Sequence, residues 1–352
     1  MPIRVIQWAT GGVGRAAVEA IVSHPDLELV GARVYATDKV GRDVGELCGL
    51  EPVGMAATDD VDALLALEPD CCVYSPILPD EDDLARLLRA GVNVVTPLGW
   101  FFQWPNESIE LRSAAAEGGA TLHGTGIHPG GVTERLPLVA SAFSRAVTHV
   151  RAEEFSDIRS YDAPDVIRHI MLFGVPPEEA SGSHLPAILA NGFNQSISML
   201  GHALGFRVDD ERLVTHETAV ATAPIESPIG VIEPGLVAAQ RLCWQATVDG
   251  TPVVTVRVNW LMGEEHLDPA WSFGPEGQRF EVAVDGDPPT RLTVHGWHPD
   301  TIAAGLERNL GIVATGVHCV SAIPAVVAAP PGLITFLELP MVHGRAAPDL
   351  AR

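Results

Sequence analysis

The sequence predicts an α/β fold, in which a Rossmann-type doubly wound parallel sheet is followed by a second α+β domain with a mostly antiparallel sheet. The first observation is an alternation of short β-branched runs and helical periods through the first third of the chain. The second is a glycine-rich turn between the first strand and the first helix. The third is a change past Gly131, where helical segments precede a series of strands. A chain of 352 residues also exceeds the size at which one core usually keeps growing, so more than one domain is expected.

The Rossmann domain is predicted to occupy residues 1–145. Its strands are expected at 3–8, 27–34, 71–75, 92–96 and 121–124, and its helices near 13–23, 61–67, 82–90 and 107–117. Turn residues bound the helices, as in Ser23-His24-Pro25-Asp26. Because strands joined by crossover helices run parallel, their carboxyl ends should share one edge of the sheet, where such folds bind ligands.

The second domain is predicted at residues 146–299, with a strand at 150–155 and helices near 164–172 and 184–204. Its further strands are expected at 215–221, 242–248, 253–260, 280–284 and 291–294. Residues 300–352 form a C-terminal helical segment without a sheet of its own to cover. We therefore expect this segment to pack back on the Rossmann domain.

A glycine-rich turn follows the first predicted strand and reads Trp8-Ala9-Thr10-Gly11-Gly12-Val13-Gly14-Arg15. It matches G-x-G-x-x-G if Ala9 replaces the first glycine, with Gly11 second and Gly14 third. Such a turn can be merely tight, but the preceding strand and the amphipathic helix after it favour a dinucleotide site, whose pyrophosphate would meet the helix N-terminus. The residues expected to bind NADP or NAD here are Ala9, Thr10, Gly11, Gly12, Val13 and Gly14.

The second predicted strand ends at Arg33 and Val34, without the acidic side chain that a strong preference for NAD requires. Beyond it, hydroxyl and cationic donors could hold a 2′-phosphate, whereas Asp38 could hold a ribose hydroxyl, and a solvated charged turn is the alternative. The donors, which favour NADP over NAD, are Thr37, Lys39 and Arg42. Five residues that follow the strands at 71–75 and 92–96 should line the ribose and nicotinamide, namely Ser75, Pro76, Thr96, Pro97 and Gly99.

The composition excludes several classes of partner. With 45 acidic and 22 basic residues, the formal net charge of −23 disfavours nucleic acid and anionic membrane surfaces. Five cysteines without C-x-x-C spacing predict neither a disulfide framework nor a zinc site, and the pair His295 and His298 lacks a third placed ligand, so we expect no metal. A strand begins almost directly after Met1, and prolines interrupt the apolar stretch at 311–332, so we expect a cytoplasmic protein without a membrane span.

Segments along nearly the whole chain resemble the dihydrodipicolinate reductase superfamily, in the branch of 2,4-diaminopentanoate dehydrogenase and native amine dehydrogenases. They are residues 7–15, 39–46, 124–130, 156–174 and 321–327. The resemblance implies hydride transfer between a nicotinamide and a C=N or C=O centre, in a homodimer whose second domain serves substrate binding and dimerisation. The D-A-P-S-G-T loop of true dihydrodipicolinate reductases is missing, because Asp162-Ala163-Pro164 is followed by Asp165. We therefore exclude their reaction.

Candidate acid–base groups lie on both sides of the predicted domain boundary. His128 follows the last Rossmann strand at the ligand-binding edge and is the first candidate, although it could merely brace the domain junction. Tyr161 can donate a proton, Asp157 can orient or bind a cation, and His169 can do either, with structural roles as the alternative. Four aromatic residues within 100–104 suggest an apolar wall beside the nicotinamide or an interdomain plug.

One departure from the amine dehydrogenase branch bears on the substrate. That branch typically carries a glutamate shortly after the strand at 92–96, where this chain reads Leu98-Gly99-Trp100. Without that charge, the site should favour neutral carbonyl or alcohol substrates, unless Asp157 substitutes. The predicted function is an NAD(P)H-dependent oxidoreductase acting at the interdomain cleft on a small, substantially apolar carbonyl, imine or amine compound. The alternative is a catalytically silent NAD(P)-binding sensor or interaction protein.

Overall fold

The computed structural model describes residues 1–347 and 350, with side chains except at 185, 186 and 188. The chain forms two compact units, unit 1 with residues 1–130 and 312–352 and unit 2 with residues 131–311. The predicted boundaries at 145/146 and 299/300 remain predictions. The last part of the predicted C-terminal segment, residues 348, 349, 351 and 352, lies outside the described residues.

The first part of unit 1 alternates strands and helices. Its strands are β1 (Ile3–Trp8), β2 (Leu27–Arg33), β3 (Cys71–Tyr74), β4 (Asn93–Thr96) and β5 (Thr121–Gly124). Its helices are α1 (Gly12–Val22), α2 (Val44–Leu47), α3 (Val61–Leu65), α4 (Glu81–Arg89) and α5 (Ile109–Gly118), and a 3-10 helix covers Thr37–Lys39. The elements predicted for this region are present, with small shifts at their ends.

Unit 2 begins with the π-helix Gly131–Arg135. Its helices are α6 (Leu136–Ser141), α7 (Pro177–Ser181), α8 (Leu185–Leu204) and α9 (Ile302–Glu307), and the short helices Ile158–Ser160 and Val166–Ile170 are of 3-10 and π type. Its strands are β6 (His149–Asp157), β7 (Arg212–Ala221), β8 (Ile225–Ser227), β9 (Gly230–Ile232), β10 (Val237–Val248), β11 (Thr251–Leu261), β12 (Leu267–Asp268), β13 (Arg279–Asp285) and β14 (Thr290–Val294). Helix α10 (Leu310–Val327) begins at the boundary, and β15 (Gly332–Leu333) returns to unit 1.

The sheet of unit 1 has the strand order β2-β1-β3-β4-β5-β15, and all of its pairings are parallel. The chain leaves β1 towards β2 and then continues on the other side of β1 with β3, so the carboxyl ends of β1 and β3 mark the switch point at which doubly wound sheets bind ligands. On one face, α10 buries Cys319 and Ile323 against Val5 and Val73 of the sheet. The predicted Rossmann-type sheet is confirmed.

The sheet of unit 2 has the order β12-β7-β10-β11-β6-β13-β14. The β11–β6 pair is parallel and the other described pairs are antiparallel. Helix α8 packs on one face, where the rings of Phe193 and Trp244 lie 4.7 Å apart between centroids. The predicted α+β domain with a mostly antiparallel sheet is confirmed, although the helix expected near 164–172 is the shorter π-helix Val166–Ile170.

Within the described part of the chain, one stretch is long and apolar enough to cross a membrane, from Ile302 to Val327 with a mean hydropathy of 1.9. Length and composition alone do not distinguish a membrane span from a core helix. In α10, which makes up most of this stretch, Val320, Ile323 and Val326 are buried in the core of unit 1. The buried share of the apolar stretch is 33%.

Candidate active site

The predicted phosphate loop, residues 9–14, joins β1 to α1. Ala9 has a φ of 74°, in the left-handed region that favours glycine, which explains why the motif normally begins with glycine. A Cβ atom on Gly14 would lie 2.1 Å from the carbonyl oxygen of Ala9, so the close approach of helix and strand requires glycine. A Cβ atom on Gly11 would meet nothing within 4 Å, so the space above the loop is open. The first turn of α1 therefore fits a pyrophosphate.

Gln7 and Ser75 fix this loop to the sheet. The buried Gln7 Nε2 donates hydrogen bonds to the carbonyl of Ala9 at 3.0 Å and to Ser75 Oγ at 2.9 Å. These contacts tie the end of β1 to the end of β3. Gln7 was not predicted, and the available signal was a polar residue within the otherwise apolar second half of β1, Val5-Ile6-Gln7-Trp8.

The residues predicted to select NADP lie on and after the 3-10 helix Thr37–Lys39. Lys39 Nζ donates to Thr10 Oγ1 at 3.4 Å, which brings an ammonium group beside the phosphate loop. Thr37 and Arg42 are exposed, so a ligand can reach their side chains. Arg33, at the end of β2, forms an ion pair with Asp83 at 2.9 Å.

The residues predicted to line the ribose and nicotinamide follow β3 and β4 in unit 1. Pro76, Thr96 and Gly99 are buried, whereas Pro97 is half-buried. Thr96 Oγ1 accepts from the N–H of Leu98 at 3.2 Å, which shapes the turn after β4. All of these positions belong to the carboxyl edge of the sheet that also carries the phosphate loop.

The aromatic segment after this turn packs inward. Trp100 belongs to the core cluster that contains Tyr74 and Leu122, and Phe101 and Phe102 are also buried. Trp104 remains 41% exposed and contacts Phe102 edge-on. Trp100 is therefore a core residue of unit 1.

His128 lies in the loop that follows β5, and both nitrogen atoms of its ring are buried although the residue as a whole is half-buried. Burial lowers the pKa of His128 to about 3, so the imidazole is neutral at physiological pH. A neutral imidazole can donate or accept a hydrogen bond, but it offers no positive charge. His128 is therefore not a charged imidazolium that could donate its extra proton to a substrate.

The second-domain candidates occupy three different environments. Asp157 accepts from Arg159 Nε at 3.0 Å and from Arg159 Nη2 at 2.5 Å, so an arginine neutralises this carboxylate. Burial and the charge of Glu154 raise the pKa of Tyr161, which keeps the phenol protonated. His169 is exposed on the π-helix Val166–Ile170.

A polar cluster beside Tyr161 was not predicted. Ser156 Oγ lies 2.7 Å from Glu154 Oε1, to which it donates, and 2.9 Å from His298 Nε2. Burial raises the pKa of Glu154 and lowers the pKa of His298 to about 4. Within the described residues, no group of three or more potential ligands could hold a metal ion.

Glu134, on the π-helix Gly131–Arg135, was also missed. Its side chain is fully buried, and Ser196 Oγ of α8 donates to Oε1 at 2.5 Å. Burial raises the pKa of Glu134 to about 8, partly offset by the hydrogen bond from Ser196. The sequence Thr133-Glu134-Arg135 resembles an exposed polar stretch, so residue type alone does not indicate a buried acid there.

Comparisons with known proteins cover both units. Residues 132–349 match the family model of the 2,4-diaminopentanoate dehydrogenase C-terminal domain, and residues 3–74 match that of the dihydrodipicolinate reductase N-terminus. The chain is 32% identical to an amine dehydrogenase from Streptomyces virginiae over 360 residues, which cover 96% of either protein. It is 23% identical to the 2,4-diaminopentanoate dehydrogenase of Acetoanaerobium sticklandii, over 96% of this chain and 94% of that relative. The solved amine dehydrogenase of Mycobacterium smegmatis has the same fold, with a TM-score of 0.77 and 22% identity over 98% of each chain.

Proposed function

Because this chain belongs to the 2,4-diaminopentanoate dehydrogenase family and is an NAD(P)-dependent oxidoreductase, we propose that it interconverts a small, largely apolar amine and the corresponding imine or carbonyl compound. The observation that carries this proposal is the 32% identity to an amine dehydrogenase along 96% of the chain. The proposal departs from the expectation of neutral substrates, which rested on the missing glutamate. A silent sensor is no longer favoured, because the matched relatives are enzymes.

In the proposed reaction, the backbone N–H groups of residues 11–14 bind the pyrophosphate, and Lys39 supports the phosphates from beside Thr10. The nicotinamide, when bound, accepts or supplies the hydride. Tyr161, which is protonated at neutral pH, is the proposed proton donor to the substrate. His128 is proposed to orient the substrate as a neutral hydrogen-bonding group.

We propose NADP as the preferred cofactor. Two cationic side chains, those of Lys39 and Arg42, follow β2 together with the hydroxyl of Thr37, and such donors favour a 2′-phosphate. NAD is the alternative cofactor, because Asp38 could hold a ribose hydroxyl instead. The placement of the substrate between the domains, the homodimer and the cytoplasmic location stay predictions from the sequence.

The test is cofactor oxidation by the full chain with a panel of ketones, each with and without ammonium, and amine oxidation in the reverse direction. We expect NADPH oxidation with butanone to require ammonium, and sec-butylamine to reduce NADP. Reduction of butanone at the same rate without ammonium, together with oxidation of sec-butanol but not of sec-butylamine, would establish a carbonyl reductase instead. Gly11→Val is the control, because any activity that this variant retains comes from reactions that do not use the bound cofactor.

A further inference from the structure

An amine substrate needs a carboxylate, and most interior carboxylates of unit 2 are already neutralised. Asp157 is bound by Arg159. Glu153 accepts from Arg151 Nη1 at 2.5 Å and lies 3.3 Å from Arg257 Nη1. A carboxylate that already pairs with arginine has little remaining attraction for an ammonium group. These two acids are therefore unsuited to hold a cationic substrate.

Glu134 has the opposite environment. Its Oε1 atom accepts from Ser196 Oγ, whereas its Oε2 atom is buried and has no hydrogen-bond partner among the described residues. A buried polar atom without a partner costs roughly 1–3 kcal/mol, so it is seldom left so without a functional reason. Glu134 Oε2 lacks a hydrogen-bond donor, and an N–H group of a ligand would be such a donor.

The local fold explains why this side chain points inward. The π-helix Gly131–Arg135 directly continues the segment that leaves the carboxyl end of β5, the ligand-binding edge of the Rossmann sheet. Its wider winding precedes α6, and it packs against α8. Ser196 lies on the buried face of α8 with Phe193 and Leu200, so Glu134 is held from the interior side of that helix.

We propose that Glu134 binds the nitrogen of the amine substrate, with Oε2 accepting a hydrogen bond from its ammonium group. This inference rests on the proposed function and assigns to Glu134 the part of the missing glutamate after β4. Binding of the ammonium ion to the protonated acid releases one proton to solvent and leaves a carboxylate–ammonium pair. The carboxylate then takes one proton from the ammonium group, which frees the nitrogen lone pair that the C=N bond requires. Oxidised NAD(P)⁺, when bound, would accept the hydride from the adjacent carbon.

The electrostatics support this order of events. Burial raises the pKa of Glu134 to about 8, so the acid is mostly protonated before the substrate arrives. A cation beside Oε2 favours the ionised form and lowers this pKa. The protonation state of Glu134 should therefore change on binding of an ammonium ion and should not change on binding of a neutral alcohol.

Infrared difference spectroscopy of the full chain saturated with NADPH tests the proposal without turnover, because NADPH cannot accept a hydride from an amine. We expect sec-butylamine to remove the carbonyl stretch of a protonated carboxyl group, and sec-butanol to leave it in place. Glu134→Gln, which keeps the acceptor for Ser196, should abolish the signal. Glu154→Gln is the matched control, because burial also raises the pKa of the half-buried Glu154, and this variant should leave the signal intact.

The kinetic counterpart is oxidation of sec-butylamine, for which Glu134→Gln should lower kcat/KM by about 100-fold or more and remove the rising acid limb of its pH profile. The affinity for NADPH and the unfolding temperature at neutral pH report whether the variant is folded. A signal that persists in Glu134→Gln and disappears in Glu154→Gln would overturn the inference. Ammonium-dependent reduction of butanone without any carboxyl signal would overturn it while the proposed function stands, and absence of ammonium dependence would overturn the proposed function instead.

Discussion

Gly11 and Gly14 belong to one sequence motif, but the structure gives them different tasks. A side chain on Gly11 would enter open space, whereas a Cβ on Gly14 would meet the Ala9 carbonyl oxygen at 2.1 Å. Gly11→Val should therefore weaken NADPH binding at least tenfold, about 1.4 kcal/mol, without lowering the unfolding temperature. Gly14→Ala should lower the free energy of unfolding by about 1–3 kcal/mol. Fluorescence titration and thermal unfolding measure both, and unchanged affinity in folded Gly11→Val would show that the loop is misassigned.

Arg42 is the residue that most directly tests the choice of cofactor. It is exposed after the 3-10 helix Thr37–Lys39, so its replacement should not disturb the core. Arg42→Ala should weaken NADPH binding more than NADH binding, because only NADPH carries the 2′-phosphate. Arg86→Ala, which removes an exposed arginine paired with Asp62, is the control. Equal losses for the two cofactors would make Arg42 a structural residue.

Asp157 and Glu134 show that residue type alone does not predict which carboxylate is available to a ligand. The sequence favours Asp157 as the carboxylate that substitutes for the missing glutamate, but Arg159, two residues along the chain, donates to both of its oxygens. Glu134 is not predicted from the sequence, because a single polar position in a short segment carries no periodic signal. Whether a carboxylate is available depends on its neighbours in space, and these come from distant parts of the chain, as with Ser196.

At the scale of elements, periodicity predicts long segments and misses short ones. Strand β1 and helix α1 lie almost where the sequence places them, since each carries a full repeat of its pattern. The four-residue helix α2 went unpredicted because its stability comes from Asp43, whose side chain accepts several backbone N–H groups. The π-helix Gly131–Arg135 has too few residues to reveal its winding in sequence.

The burial of Glu134 in this π-helix has a consequence for stability that does not depend on any substrate. Its pKa is raised from 4.5 to about 8 in the folded state, so the folded chain holds this proton more tightly than the unfolded chain. The resulting stabilisation is complete below the unfolded value and is lost as the pH rises to the folded value, by roughly 1.4 kcal/mol per pH unit. The difference in unfolding free energy between Glu134→Gln and the parent should therefore grow in favour of the variant up to about pH 8.

Chemical denaturation at several pH values measures that difference. His128, whose pKa is lowered to about 3 by burial, stabilises the fold as the pH rises towards its ordinary value of 6.5, which opposes Glu134 in the parent. Because His128 is present in both proteins, its contribution cancels in the comparison. A difference that stays constant with pH would mean that Glu134 titrates as an ordinary exposed acid.

At the scale of the whole molecule, the net charge of −23 bears on the proposed chemistry. A strongly negative surface attracts a small ammonium ion and repels the anionic cofactor, and added salt weakens both effects. Local groups must therefore secure the cofactor, which is what the N-terminus of α1 and Lys39 would do. The charge agrees with a cationic substrate, but it identifies none.

The last prediction follows from the order in which the chain passes through its two units. Unit 1 takes its residues from both ends of the chain, 1–130 and 312–352, and α10 contributes Cys319, Ile323 and Val326 to its core. A Cβ on Gly316 would lie 2.9 Å from the Val13 carbonyl oxygen, so α10 packs directly on the helix of the phosphate loop. A fragment of residues 1–130 would expose that apolar face to water, at a cost of about 25 cal/mol for each Å².

We therefore expect fragment 1–130 to lack a cooperative thermal transition and to bind no NADPH. The same fragment joined by a flexible Gly/Ser linker to residues 312–352 should recover both, because the linked chain restores α10 and β15. Circular dichroism melts and NADPH titration of the two fragments measure this. Cooperative unfolding and cofactor binding by 1–130 alone would contradict the prediction, because α10 would then be an accessory to a core that is already complete.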